Sequence, residues 1–239
     1  MTAGLIVFSR FDSRRLPGKV LRPIAGRPML GRVLDRVRQA RRVDQVVVAT
    51  SDRDVDDPID AFVSAEGIPV FRGAADDVLG RCLDCAEAFS FDRIVRISGD
   101  SPFMDPGLID RLLTIAQNRS GTEVITNVFP RSFPAGISVE VLTREALVRL
   151  ASLATDDPDR EHVTTYVYRH PDKFLIRNVA SDPSYAGVKL VVDDQDDLER
   201  AEWIVGQIQD RPEVASLEAV VALAQAWDRN RQQRTTNVA

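Results

Sequence analysis

The chain has 239 residues, 44% of them hydrophobic and 28% charged, enough apolar material to bury a large core within one α/β domain. Its net charge of -5 argues against nucleic-acid binding, which needs a basic footprint. No stretch approaches the ~18 uninterrupted apolar residues of a membrane span, and the N-terminus lacks a basic segment followed by a long apolar run. A cytosolic protein without a membrane partner is the expectation.

Apolar, β-branched runs predict strands at 4–8, 45–50, 69–72 and 93–97, and helical periodicity predicts helices at 29–40, 55–66, 78–88 and 107–118. This βα alternation predicts a Rossmann-like domain with a mostly parallel, mixed central sheet covered on both faces. After residue 120 the rhythm changes to a strand at 123–127, a loop at 130–134 and a strand at 137–142, suggesting antiparallel additions. An acceptor pocket or a dimer arm fits that 120–142 excursion. Further strands are expected at 174–178 and 188–192, and helices at 198–209 and 217–227. No repeat or linker divides residues 1–229, and the polar tail 230–239 is expected to fray.

Cys82 and Cys85 stand three apart in the predicted helix 78–88. No further cysteine completes a four-cysteine metal site, so the pair reads as two buried thiols packing as small apolar residues, with a redox couple as the alternative.

Between the first strand and the first helix runs Arg10-Phe11-Asp12-Ser13-Arg14-Arg15-Leu16-Pro17-Gly18-Lys19, with four basic residues against one acid in an acidic chain. A cationic, Pro-Gly-bent loop at the carboxyl end of a strand is suited to polyphosphate, although a solvated basic loop has the same composition. Neither G-x-x-x-x-G-K-[ST] nor G-x-G-x-x-G occurs in it, which argues against a P-loop NTPase.

Asp100 follows the strand 93–97 across a Ser98-Gly99 turn and belongs at the same sheet edge. It reads either as a metal ligand or as a turn aspartate bonding its own backbone. Asp193 ends the run 188–192 just before a helix; it is a second carboxylate candidate or a cap, while Asp196 and Asp197 fit helix-start roles.

The loop resembles the signature Ala-Arg-x-x-Ser-x-Arg-Leu-Pro-Gly-Lys of the cytidylyltransferases that activate acidic sugars, the acylneuraminate and 3-deoxy-manno-octulosonate superfamily, and most of all its SpsF-like branch. Arg10, Ser13, Arg15, Leu16, Pro17, Gly18 and Lys19 carry the match. The resemblance continues through Thr50-Ser51-Asp52, Arg72-Gly73, Leu79-Gly80-Arg81, Gly99-Asp100-Ser101-Pro102, Asn127, Pro130-Arg131, Arg160-Glu161-His162 and Val191-Val192-Asp193, covering most of residues 4–205. It departs at Ser9, at Asp12, whose carboxylate would repel a triphosphate unless paired with Arg14 or a metal, and at Ala135-Gly136-Ile137-Ser138, which replaces an Asp-Gly-x-Asp pattern.

The resemblance implies a Mg²⁺-dependent transfer of CMP from CTP to an acidic sugar, for surface polysaccharide biosynthesis, with release of pyrophosphate. It implies Arg10, Arg15 and Lys19 as catalytic phosphate contacts with Ser13 beside them, and Asp100 and Asp193 as metal ligands. Thr50, Ser51, Arg72, Gly80 and Arg81 would surround the nucleotide, and Asn127, Arg131, Glu140, Glu161 and His162 the acceptor. Arg131 is the best placed to pair with a sugar carboxylate. His162 reads as a general base or as a structural helix-face residue, with Tyr166 and Tyr168 packing in the same helix. A homodimer is implied as well. Another sugar nucleotidyltransferase, a glycosyltransferase on the same fold, or an inactive nucleotide-binding subunit are the alternatives.

Overall fold

A computed structural model describes residues 1–118, 121–208 and 215–236. Strand β1 (Ala3–Phe8) leads through the basic loop to a short hairpin, β2 (Pro23–Ile24) with β3 (Arg27–Pro28), and then to helix α1 (Met29–Val37). Next come β4 (Gln45–Ser51), α2 (Asp57–Ala65), β5 (Val70–Gly73), α3 (Val78–Ala88), β6 (Arg93–Ser98) and α4 (Pro106–Asn118). The second half contributes β7 (Val124–Thr126), β8 (Glu140–Thr143), α5 (Arg144–Leu153), the short α6 (Asp157–Glu161) and α7 (Thr165–Arg169), β9 (Ile176–Asn178), α8 (Gln195–Gln207) and α9 (Leu217–Thr236).

Seven strands form one sheet in the order β5-β4-β1-β6-β8-β7-β9. All run the same way except β8, which is antiparallel to both β6 and β7. The predicted mixed, mostly parallel sheet is therefore observed, including the antiparallel addition after residue 120. Chain order reverses direction at β1, so the carboxyl ends of β1 and β6 flank a switch point, where open α/β sheets bind ligands.

Leu5, Ile6 and Val7 are wholly buried because helices cover both faces of the sheet. Each such side chain stabilises the fold by roughly 1.5–3 kcal/mol. One face packs Leu5, Val7, Val48 and Val95 against α1, α4, α8 and α9; the other packs Ile6, Val47 and Ile94 against α3, α5 and α7. Cys82 and Cys85 are free thiols within the second layer, each pushed up to about 12 by burial. Thiol-modifying reagents at pH 8 are expected to leave both unmodified in the native protein and to label them after denaturation, as mass spectrometry would read.

Several elements differ from expectation. The run 188–192 is not a ladder strand: it crosses the sheet edge and makes one bridge, Lys189 with Ala135. Gly136 permits this crossing, because its φ is +97° and an added Cβ would lie 2.3 Å from the Val191 nitrogen. The expected strand 137–142 begins only at Glu140, since Ile137 and Val139 bond instead to the buried Asn127 amide, at 2.7 and 2.8 Å. Helix α5, capped by the Thr143 hydroxyl on the Ala146 N–H, was not anticipated. Helix α9 extends past residue 230 to Thr236; residues 237–239, like 120 and 209, lie outside the described residues. No helix among the described residues is long and apolar enough to cross a membrane.

Candidate active site

The basic loop leaves β1 and curls back on itself. The Phe11 carbonyl accepts both the Ser13 and the Gly18 N–H, at 3.0 and 2.9 Å. Gly18 is needed there: its φ is +66°, and a Cβ would meet the Phe11 ring at 2.9 Å. The curl delivers Lys19 into a short 3₁₀ turn, Lys19–Leu21, that points the side chain inward, so that Lys19 is only 9% exposed.

A second support comes from Asp56, a fully buried carboxylate behind the loop. It accepts the Phe11 N–H at 2.7 Å, the Ser51 N–H at 3.1 Å and the Ser51 hydroxyl. Burial alone would raise the Asp56 carboxyl, but these donors outweigh it and hold it below the ordinary value. Asp56 escaped sequence reasoning because it is one of five acids between Asp52 and Asp60, with nothing to single it out.

At the focus of the site the Lys19 ammonium touches three oxygens. It lies 2.8 Å from Asp100 Oδ2, 2.8 Å from the Val192 carbonyl and 3.2 Å from Asp193 Oδ1. The Arg15 guanidinium adds a contact to Asp193 Oδ1 at 3.1 Å. Burial would raise the Asp193 carboxyl, yet Lys19 and Arg15 hold it below its usual range. The two acids come from loops far apart in sequence, and the bond from the Val192 N–H to the Asp100 carbonyl ties those loops together. Asp193 is not the cap of α8. Asp194 is, through the Asp197 N–H, whereas Asp197 turns inward to Lys189 and Arg200, and exposed Asp196 pairs with Arg231. Asp196 and Asp197 do stand in the first turn of α8, where acids suit the helix dipole, but neither is the cap.

Arg10 is exposed and lies 3.4 Å from Glu161, linking the loop to α6. Asp12 is neutralised by Arg53 at 2.5 Å, with Arg10 at 3.9 Å, not by Arg14. Its carboxylate is thus already paired, which removes the repulsion expected towards an anionic ligand.

The other predicted residues divide between those facing the edge and those committed inward. Thr50 and Ser51 are buried, and the Ser51 hydroxyl is directed into Asp56. Arg72 ties down the β4–α2 connection through the Ser51 and Arg53 carbonyls and Asp57. Gly80 donates its N–H to the capping Asp77, and Arg81 is buried, bonded to the Ala74 carbonyl with its guanidinium over the Phe8 ring. Burial lowers the Arg81 pKa.

Among the acceptor-side residues, Asn127 spends both ends of its amide on backbone. Glu140 is 2% exposed and accepts from Arg96, Thr164 and Tyr168. Arg131 is half-buried and donates to the Pro134 carbonyl and the Ser138 hydroxyl, each at 3.1 Å. Burial lowers the Arg131 pKa. His162 ends α6 exposed to solvent instead of packing on a helix face, while Tyr166 is buried and Tyr168 joins the Glu140 cluster. Asn127 and Glu140 therefore shape the wall, whereas Arg131, Glu161 and His162 remain near its surface.

A cationic loop and a carboxylate pair converging at the switch point between β1 and β6 define a nucleotidyltransferase of the α/β type. Residues 5–226 match the cytidylyltransferase family model, and the chain belongs to that family. It is 32% identical over 225 residues to the spore coat polysaccharide biosynthesis protein SpsF of Bacillus subtilis, covering 91% of this chain and 92% of that one. A 3-deoxy-manno-octulosonate cytidylyltransferase of Anaeromyxobacter is 31% identical over 169 residues, 70% of this chain and 62% of that protein. The solved cytidylyltransferase of Leptospira borgpetersenii superposes with a TM-score of 0.89 at 29% identity, covering 97% and 96% of the two chains.

Proposed function

We propose that the protein transfers CMP from CTP to an acidic sugar of the 3-deoxy-2-keto acid class, releasing pyrophosphate, in the biosynthesis of a surface polysaccharide. The observation that carries this reading is the meeting of Lys19 and Arg15 with Asp100 and Asp193 at one sheet edge. Relatives named for 3-deoxy-manno-octulosonate and 8-amino-3,8-dideoxy-manno-octulosonate supply the acceptor class.

In this reading Arg10, Arg15, Lys19 and the backbone N–H groups around Ser13 bind the triphosphate, and Gly80 and Arg81 border the base and ribose. Arg131 offers its planar fork to the sugar carboxylate, with Glu161 and His162 at the rim. The donor set of Asp100, Asp193 and the Val192 carbonyl consists of hard oxygens already gathered around a cation, which fits Mg²⁺. When bound, Mg²⁺ neutralises charge at the α-phosphate and makes a bound oxygen more acidic. The residues then align an acceptor oxygen for in-line attack and stabilise the departing pyrophosphate; no protein nucleophile is required. A homodimer working in the cytoplasm completes the proposal.

The test is pyrophosphate release from each of the four NTPs with Mg²⁺ and a panel of sugar acids. Release with CTP and a 3-deoxy-2-keto acid is the expected result. Silence over the whole panel overturns the substrate assignment, and preference for another NTP overturns the choice of cytosine.

A further inference from the structure

We propose that Lys19 is a built-in counter-ion that occupies the cation position between Asp100 and Asp193 until metal and nucleotide arrive, so that the ammonium and the divalent cation exclude one another. The inference rests on the reading of Asp100 and Asp193 as metal ligands and assigns Lys19 a second role there.

The geometry is that of an ion in a cage. An ammonium has three N–H donors and no acceptor, and Lys19 has three oxygen partners within 3.2 Å: a carboxylate from each loop and the Val192 carbonyl. Its side chain is 11% exposed and both carboxylates are 23% exposed, so the cluster is largely withdrawn from water. Two carboxylates facing one point in such surroundings repel each other strongly unless a cation stands between them. Arg15 does not fill that position. It touches Asp193 alone, and its side chain is 64% exposed. The same oxygens that satisfy an ammonium suit a hard divalent ion, and two cations held together on Asp100 Oδ2 and Asp193 Oδ1 would repel each other at close range.

The exchange has a direction. A metal arriving by itself must displace an ammonium that has nowhere comparable to go. A metal arriving with a triphosphate brings anionic oxygens that take over Lys19 and Arg15 as the carboxylates pass to the metal. Metal affinity is thereby coupled to nucleotide, since each removes a cost that the other would otherwise meet.

Two measurements on nucleotide-free protein test this. Mn²⁺ binding, read from the electron paramagnetic resonance signal of the free ion, is expected to be at least about tenfold tighter in Lys19→Met than in the wild type, because the competing charge is gone. In the wild type, ¹⁵N-lysine labelling gives only three side-chain signals, from Lys19, Lys173 and Lys189, which Lys173→Arg and Lys189→Arg assign by elimination. Saturating Mg²⁺ alone is expected to shift the Lys19 signal. Unchanged or weaker Mn²⁺ binding in a folded Lys19→Met protein overturns the proposal, as does a wild-type Lys19 signal that stays in place while Mg²⁺ saturates. The second readout stands even if the variant fails to fold. Mn²⁺ binding that is lost in Asp100→Asn yet indifferent to Lys19 sinks the exchange alone. Absence of Mn²⁺ binding in every form sinks the metal assignment with it.

Discussion

Replacing Asp100 with asparagine is expected to lower kcat on the order of 10³-fold while moving the unfolding temperature by only a few degrees. Asparagine keeps the shape of the side chain and leaves Lys19 its contacts to Val192 and Asp193, so the fold loses little. Catalysis loses more. A neutral amide is a poor ligand for a hard divalent ion, and charge stabilisation by such an ion is worth several kcal/mol in the transition state, each 1.4 kcal/mol being about tenfold in rate. Pyrophosphate release at saturating CTP, with thermal unfolding of the same preparation, separates the two effects. A variant keeping more than about a tenth of wild-type turnover would remove Asp100 from the metal site and return it to the role of an ordinary turn aspartate. Asp193→Asn should behave alike in rate, with a larger stability change because Lys19, Arg15 and Lys189 all face that carboxylate.

The sheet and the edge at which Lys19 meets Asp100 were legible in the sequence because their signals are local. Leu5-Ile6-Val7 and Val46-Val47-Val48 announce buried parallel strands, and the helices between them have the right length and period. The bend at Leu16-Pro17-Gly18 and the turn at Ser98-Gly99 likewise fixed where Lys19 and Asp100 emerge. The second half was less readable, since its contacts are long-range. Nothing near residue 188 reveals that the run would cross over Gly136 instead of joining the ladder. Nothing near Asp12 reveals Arg53 as its partner, 41 positions away. Asn127 and Glu140, expected at the acceptor, are polar residues whose protein partners arrive from elsewhere in the chain, so residue type alone does not tell a ligand contact from a buried strut. Helix α5 is a different case. Its Thr143 cap and Ala- and Leu-rich run are a local signal of a helix.

Glu140 offers the sharpest test of that distinction, because its replacement by glutamine should destabilise the protein by about 3–5 kcal/mol, the cost of breaking a buried ion pair. Three donors converge on this carboxylate: Arg96 Nη1 at 2.5 Å, Thr164 Oγ1 at 2.6 Å and the Tyr168 hydroxyl at 2.5 Å. Only a group that accepts at both oxygens satisfies them, and the glutamine NH₂ would face at least one donor. The Arg96 guanidinium would also lose its counter-charge. Burial works to lower the Arg96 pKa, and the facing Glu140 carboxylate more than offsets it, so the arginine stays charged and would be left uncompensated over the Phe8 ring. Removing both charges in Arg96→Met/Glu140→Gln should recover much of the loss, because the Tyr168 hydroxyl keeps Thr126 at 2.9 Å and no unpaired charge remains. Denaturant unfolding of the two single variants and the double variant measures the coupling. A Glu140→Gln protein of native stability whose KM for the sugar acid rises would reverse the assignment, making Glu140 an acceptor contact reached by a rearranged wall. Loss of stability restored by the second substitution identifies it as the strut that ties β6, β8 and α7 together.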